Sequence, residues 1–164
     1  LAGTGPVGQR AAVMMAKEGA SEVVLVSRKI SRAKAACEDM KSGFNVELTP
    51  AEATDCDTNG KIIEDAQIVF ATGAAGIELI KAEHWEKNDN IELIADANAT
   101  PPLGIGGTDM MDKGNERCGK IIWGAIGFGT LKLAVHKACI KKLFESNDQL
   151  LDAEEIFDIA KSMA

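Results

Sequence analysis

The first eight residues, LAGTGPVG, carry the glycine spacing G-x-G-x-x-G. Residues 6–18 follow with a composition typical of a helix, in which Pro6 suits the first turn and Gly19 suits the end. A dinucleotide-binding unit places such a turn between a strand and a helix, and here only two residues stand ahead of the turn. We therefore expect an α/β fold with a cofactor turn at its start and a truncated first strand.

Apolar runs without polar alternation, such as those in residues 22–27 and 67–72, are typical of parallel strands covered on both faces. The predicted strands cover residues 22–27, 45–48, 67–72, 91–96 and 120–126. The predicted helices cover residues 6–18, 32–41, 77–86, 129–145 and 153–162, with Ser31 and Asp152 as N-caps and irregular segments at 49–60 and 97–119. This alternation predicts a Rossmann-like, doubly wound α/β domain with a mainly parallel sheet over residues 1–164.

The chain is acidic, with a formal net charge of -7 and an isoelectric point of about 4.9. Because no basic stripe could neutralise phosphates, we expect no nucleic-acid partner. The four cysteines are scattered without a C-x-x-C pair, which favours a reducing cytoplasm over a disulfide framework or a metal site. No apolar run approaches the ~20 residues of a membrane span, so we expect no membrane association.

The three glycines of the opening turn have distinct roles in a phosphate-binding site. Gly3 permits the tight turn, Gly5 lets the backbone approach a pyrophosphate, and Gly8 lets the helix pack closely on the sheet. The helix N-terminus adds free N–H groups and a partial positive charge. The predicted phosphate-binding residues are Gly3, Thr4, Gly5, Pro6, Val7 and Gly8. The alternative is a structural turn that binds nothing.

The end of the second predicted strand indicates which dinucleotide binds. An NAD site usually has Asp or Glu there, whereas this chain has Ser27, Arg28 and Lys29, with Arg32 one turn further on. A hydroxyl and cations can hold a 2′-phosphate that a carboxylate would repel. These residues predict NADP as the cofactor. The alternative is a solvated basic pair at a strand end.

The loop after residues 67–72 consists of small residues and follows a strand end, where ligands gather in doubly wound sheets. Thr72, Gly73 and Ala74 are therefore predicted to lie against the nicotinamide ribose, with an ordinary strand-to-helix turn as the equal alternative. No nucleophile–base pair is visible, and His84 and His136 are expected to be structural. Such a site suits hydride transfer, in which the cofactor carries the chemistry.

Five longer segments resemble one enzyme family over nearly the whole chain. They are LAGTGPVGQRAAVM, VLVSRKISRAKAA, DANATPPLGIGGTDMMDKG, GAIGFGTLKLAVHKACIKKLFES and DAEEIFDIAKSMA. The family that they resemble is that of the NADP-dependent methylene-tetrahydromethanopterin dehydrogenases of methylotrophic bacteria, some of which also accept methylene-tetrahydrofolate. PPLGIGGTD and GTLKLAVHKACIKKLFES are the most specific parts of this likeness.

The resemblance implies an oxidoreductase of one-carbon metabolism that transfers hydride from the methylene carbon of a pterin substrate to NADP⁺, leaving a methenyl product. It also implies that Lys132 lies near the pterin, and that Asn98 and the PPLGIGG loop lie over the nicotinamide end of the cleft. The residues alone equally allow a solvated Lys132 and a rigid Pro/Gly turn. In the family, a separate N-terminal domain forms the other wall of the cleft. We therefore expect this chain to be inactive alone and the longer enzyme to be a cytoplasmic homo-oligomer.

Two other interpretations stay open. An NADP oxidoreductase of the shikimate dehydrogenase or glutamyl-tRNA reductase type shares the glycine turn and an arginine after the second strand, but it lacks PPLGIGGTD. A non-catalytic NADP-binding module would need no substrate wall.

Overall fold

The computed structural model describes residues 1–163 of the 164-residue chain, which divides into two compact units, Leu1–Gly127 and Phe128–Ala164. The first unit contains α1 (Pro6–Lys17), β1 (Val24–Ser27), α2 (Ile30–Phe44), β2 (Thr49–Glu52), α3 (Cys56–Ile62), β3 (Ile68–Ala71), β4 (Leu93–Asp96), β5 (Lys113–Arg117) and β6 (Lys120–Trp123). The second contains α4 (Gly129–Leu143) and α5 (Ala153–Lys161). The single domain expected over residues 1–164 stays a prediction.

Strands β1 and β2 form a parallel pair that α1 and α2 cover. Ala12 of α1 and Ala36 of α2 pack with Leu25 in one buried cluster, and such small side chains let the helix backbones lie close to the strand. Both helices begin near the carboxyl end of β1. Gly3, just ahead of α1, donates its N–H to the carbonyl of Val26 at 2.9 Å, and α2 begins three residues after β1 ends.

The second sheet has four strands in the order β3-β4-β6-β5. β3, β4 and β6 are parallel, while β5 pairs antiparallel with β6 at the edge. The core against it contains Ile63, Val69, Ala71, Ile80, Trp85, Ile91, Ile94, Ile105 and Ile122. Trp85 is 1% exposed, and its indole N–H donates to the carbonyl of Gly106 at 2.8 Å. These mostly parallel strands confirm the predicted α/β class.

Residues 1–3 connect the two sheets at one end. The amino group of Leu1 donates to the carbonyl of Phe70, and the N–H of Thr72 donates to the carbonyl of Leu1 at 3.1 Å. Beside them lies a cavity of about 580 Å³ lined by residues of both β1 and β3, which we call the inter-sheet slot. Within residues 1–163 no strand pairs with both β1 and β3, so the predicted single sheet is split at this point.

Strand β2 lies four residues beyond its predicted position at 45–48. Asn45 adopts a left-handed conformation (φ 55°) that ends α2, and Val46 is buried in the cluster with Val13 and Met40 rather than paired with β1. Pairing begins at Thr49 and includes Pro50, which an edge strand tolerates because its missing N–H faces away from the partner. The segment predicted as irregular, 49–60, therefore contains β2 and most of α3, whereas the sequence placed a helical turn or two at residues 61–66.

Other differences from the sequence predictions concern helix α2, residues 77–86, residues 97–119 and β6, which ends at Trp123 rather than at residue 126. Helix α2 begins at Ile30 with Lys29 as N-cap, so Ser31 lies within the first turn and is not the cap. The helix expected at 77–86 is one 3-10 turn, Ala82–His84, because Ile80 instead forms a parallel bridge with Ile105. The loop expected at 97–119 contains β5, which joins β6 through a two-residue turn with positive φ at both positions, 118 and 119.

The second unit is a helix pair. α4 ends at Leu143, two residues short of the prediction, and Val135 and Cys139 are its buried positions. Asp152 is the N-cap of α5, as predicted: its carboxylate accepts the N–H of Glu154 at 2.9 Å, and Glu155 reaches back to the N–H of Asp152 at 3.0 Å. Among residues 1–163, no helix has the length and apolar character needed to cross a bilayer.

Candidate cofactor-binding site

The glycine turn presents an uncovered helix end. Gly5 is the N-cap of α1 and makes no side-chain cap hydrogen bond, while Gly5, Pro6 and Val7 are exposed. A Cβ built on Gly5 would meet no atom within 4 Å. The backbone here is thus open to a ligand, and the partial positive charge of the helix end faces that opening.

The other two glycines are required by packing within the turn. A Cβ on Gly8 would lie 2.5 Å from both Cα and O of Gly3, which is closer than real side chains approach. A Cβ on Gly3 would lie 2.6 Å from Cδ1 of the buried Leu25. The amide of Gln9 donates to the carbonyl of Thr4 at 2.9 Å and holds the turn from the helix side. The turn is therefore closely packed at Gly3 and Gly8 and open at Gly5, while phosphate binding there stays a prediction.

The predicted ribose residues gather at the carboxyl end of β1. Ser27 is buried at the strand end, and Arg28, Lys29 and Arg32 are exposed. Arg32 also lines a cavity of about 340 Å³ together with Thr4 of the glycine turn. The structure thus brings the turn and the basic segment to the same edge of the sheet, which is the geometry of a dinucleotide site in a doubly wound fold.

A residue that sequence reasoning missed, Glu52, lies at this edge. It is the last residue of β2 and the register partner of Ser27. Its Oε2 atom accepts the N–H of Ile30, the first residue of α2, at 2.6 Å. A correctly placed β2 would have revealed it, because parallel pairing aligns the carboxyl ends of neighbouring strands. The predicted strand at 45–48 hid that alignment.

The loop after β3 holds the first residues of the chain. Thr72 donates its backbone N–H to Leu1 O at 3.1 Å, and its hydroxyl donates to the same carbonyl at 3.3 Å. Gly73 lies against Leu79, where a Cβ would approach Cδ1 to 2.9 Å, and Ala74 is exposed. Thr72 therefore has a structural function, while a contact of this loop with a nicotinamide ribose stays a prediction.

Asn98 belongs to a buried polar network under the PPLGIGG loop. Its amide nitrogen donates to Pro102 O at 3.3 Å, and its amide oxygen accepts the N–H of Thr100 at 2.9 Å. The buried Asp96 accepts the N–H groups of Asn98 and Ile105, each at 2.9 Å. Burial raises the pKa of the Asp96 carboxyl, and these backbone N–H groups oppose that shift. The network fixes the loop, which agrees with a rigid Pro/Gly turn.

The other predicted residues lie apart from this network. Lys132 is exposed in the first turn of α4, within the second unit, and its role near a substrate stays a prediction. His84 joins the 3-10 turn to α3, since its Nε2 lies 3.2 Å from Oδ1 of Asp57 and its Nδ1 accepts the N–H of Lys81 at 3.1 Å. Across residues 1–163, no group of three or more His, Cys, Asp or Glu side chains could hold a metal ion.

Comparison with known protein families identifies the type of domain that the first part of this sequence resembles. The KR domain family matches residues 1–79. The fold is Rossmann-like. This match includes the glycine turn, Ser27 to Arg32 and the loop after β3, whereas Asn98 and Lys132 lie outside it.

Two relatives come from Methylorubrum extorquens AM1. The "Bifunctional protein MdtA" is 51% identical over 147 residues, which are 90% of this chain and 51% of the relative. An "NAD(P)-dependent methylenetetrahydromethanopterin dehydrogenase" is 28% identical over 165 residues, 99% of this chain and 56% of the relative. The chain spans about half the length of these relatives.

Proposed function

We propose that this chain binds NADP⁺ and supplies the cofactor-binding half of an oxidoreductase that oxidises methylene-tetrahydromethanopterin, or methylene-tetrahydrofolate, to the methenyl form. The observation that carries the proposal is the uncovered amino end of α1 at Gly5, which meets the basic segment Arg28–Arg32 at one sheet edge. The KR match and the dehydrogenase relative support NAD(P) as the ligand class and the pterin as substrate.

The residues present fit a dinucleotide. The open space at Gly5 leaves room for a pyrophosphate on the first-turn N–H groups of α1, where a side chain would block the approach. Ser27, Arg28 and Arg32 would hold the 2′-phosphate through a hydroxyl and two guanidinium groups. When bound, NADP⁺ supplies a hydride acceptor. The polar network around Asp96 would keep the adjoining loop rigid against the reacting end of the cofactor.

The proposed reaction requires little acid–base catalysis by the protein. Loss of hydride from the methylene carbon leaves a cation delocalised over two pterin nitrogens, so no proton has to move. The protein then acts by positioning. We propose that Lys132 donates a hydrogen bond to the pterin ring and holds the methylene carbon in range. We also propose that the complete enzyme is a cytoplasmic homo-oligomer. The exposed side chains of Leu133 and Phe144 in the second unit provide apolar surface for contact between subunits.

A calorimetric titration with NADP⁺ and NAD⁺ tests the cofactor assignment. We expect NADP⁺ to bind more tightly, and Arg28→Ala to narrow the difference in binding free energy by about 1–3 kcal/mol, because a charge-assisted bond to the 2′-phosphate is lost. Lys61→Ala removes the same charge from an exposed position on α3 and serves as the control. Equal affinities of the parent chain for both dinucleotides would contradict the assignment.

The pterin assignment is tested in the longer enzyme, by following NADPH formation with each methylene pterin. Lys132→Ala is expected to lower turnover by roughly 10²-fold, the scale of a misplaced reactant, while NADP⁺ affinity stays unchanged. Lys137→Ala, exposed on the same helix, is the matched control. A Lys132→Ala enzyme with parental turnover would refute the positioning role, and failure to oxidise either pterin would refute the substrate class.

A further inference from the structure

The carboxylate of Glu52 binds the amino end of α2, next to the basic residues proposed to hold the 2′-phosphate of NADP⁺. We infer that Glu52 sets the balance between NADP⁺ and NAD⁺, by competing with the 2′-phosphate for the amino end of α2. This inference rests on the proposed function, because it assumes that a dinucleotide binds at this edge. It adds an acidic residue to the residues that determine cofactor choice, for which the sequence had indicated no acidic side chain.

The backbone around Glu52 is fixed by the sheet. Glu52 lies opposite Ser27 in the parallel register, and the N–H of Ala53 donates to the carbonyl of Ser27 at 2.9 Å. The Glu52 backbone therefore lies in β2, next to β1, and its side chain is long enough for the carboxylate to reach the amino end of α2. Its Oε2 lies 2.6 Å from the N of Ile30, the first N–H of that helix.

The charges at this edge are not paired with one another. Across residues 1–163 no ion pair involves Arg28, Lys29 or Arg32, and the Glu52 carboxylate is bonded to a backbone N–H. The three cations are thus available to an incoming anion. The helix end is already taken by a resident anion, which has the same kind of interaction with it that a phosphate would have.

The two dinucleotides differ in how they meet this carboxylate. The 2′-hydroxyl of NAD⁺ can donate a hydrogen bond to Glu52, which is the role of the acidic residue in sites that select NAD. The 2′-phosphate of NADP⁺ is an anion, so it is repelled until Glu52 leaves the helix end. Glu52 therefore weakens NADP⁺ binding and supports NAD⁺ binding, in opposition to Arg28 and Arg32.

Charge removal at Glu52 in the full chain tests this balance. Glu52→Gln keeps an oxygen that can accept the N–H of Ile30 but removes the negative charge. We expect the ratio of the NAD⁺ Kd to the NADP⁺ Kd, measured by calorimetry, to rise about tenfold, which corresponds to about 1.4 kcal/mol. Glu52→Ala should move the ratio in the same direction. Glu38→Gln, exposed further along α2, removes the same charge and should leave the ratio within about twofold.

The outcomes separate this inference from the proposed function. If the parent chain binds both dinucleotides, NADP⁺ the more tightly, and neither Glu52 variant changes the ratio beyond the Glu38→Gln control, the inference is wrong and the cofactor assignment stands. If the parent binds neither dinucleotide, the proposed function and the inference both fail. Thermal melts of each variant show whether it is folded, and Glu52→Ala and Glu52→Gln give two independent chances of a folded variant.

Discussion

At the scale of single residues, Asp96 is a carboxylate with almost no exposure to solvent. Its side chain is buried at the carboxyl end of β4, and its two oxygens accept the N–H groups of Asn98 and Ile105. Each oxygen thus has its own donor. This arrangement ties Asn98, ahead of the PPLGIGG loop, to Ile105 within it, and the group that does so is one that burial makes costly to ionise.

Replacing Asp96 with Asn should therefore destabilise the protein although the shape is almost unchanged. An amide has one oxygen, so its NH₂ group would face one of the two N–H donors and leave it unsatisfied. We expect the free energy of unfolding, measured in urea, to fall by about 1–3 kcal/mol. Asp89→Asn, at an exposed position, is the control and should change it by less than about 0.5 kcal/mol. Equal effects of the two variants would mean that the network has no energetic weight.

At the scale of elements, the inter-sheet slot separates β1 from β3, and residues 1–3 bridge them through hydrogen bonds of Leu1 to Phe70 and of Gly3 to Val26. An extended segment placed there would pair with both β1 and β3 and bury the apolar lining. Fusing about five alternating valine and threonine residues ahead of Leu1, a usual strand length, should sharpen the thermal transition and raise its midpoint. A Gly/Ser extension of the same length is the control.

The thermal transition of the unextended chain decides whether this prediction holds. Without such a segment, the chain should melt broadly and be poorly soluble, because strand edges and apolar faces are left open. A sharp two-state transition of the unextended chain, unchanged by the valine-threonine extension, would show that the slot has no influence on stability.

The elements also show which features of this sequence carry structural information. The glycine turn, β3 and β4 have local signals, namely glycine spacing and unbroken apolar runs, and they lie within two residues of their predicted positions. β2 and β5 lack such signals. Pro50 argues against a strand, and the β5–β6 turn has Cys118 at a positive φ, where glycine or asparagine would be expected.

The candidate site also combines residues that have a local sequence signal with one residue that has none. Its glycines and basic residues follow one another along the chain at recognisable spacings, so the sequence predicted that they would gather. Glu52 joins them only through the pairing of β1 with β2. A partner contributed by sheet register rather than by chain proximity leaves no local pattern, and it becomes visible only when the register is known.

At the scale of the whole molecule, stability should depend on pH through the start of the chain. In a polypeptide that begins at Leu1, burial lowers the pKa of the α-amino group to about 6, with the Asp96 carboxylate acting in the opposite direction. The unfolded chain keeps the ordinary value of 8.0, so it binds more protons than the folded chain between these values. The free energy of unfolding should thus rise from pH 6 to pH 8, by about 1–3 kcal/mol, and this gain is lost as the pH falls.

Acetylation of the amino group provides the control for this dependence. The acetylated chain has no charge to titrate at Leu1, so its free energy of unfolding should be nearly constant over the same interval. Urea unfolding at half-unit pH steps measures both proteins. The same slope in both would place the pH dependence elsewhere.

The position of Trp85 gives the molecule a built-in optical reporter for one of its parts. The chain has two tryptophans and no tyrosine, and both Trp85 and Trp123 belong to the segment that forms the four-stranded sheet. Emission excited at 280 nm therefore originates almost entirely from that sheet and is silent about the β1–β2 pair and about α4 and α5. Far-ultraviolet circular dichroism is dominated by the helices, of which α1, α2 and α4 are the longest. Coincidence of the two signals during unfolding would mean that the helices and the four-stranded sheet are lost together, whereas a fluorescence change displaced from the dichroism would identify the order in which they unfold.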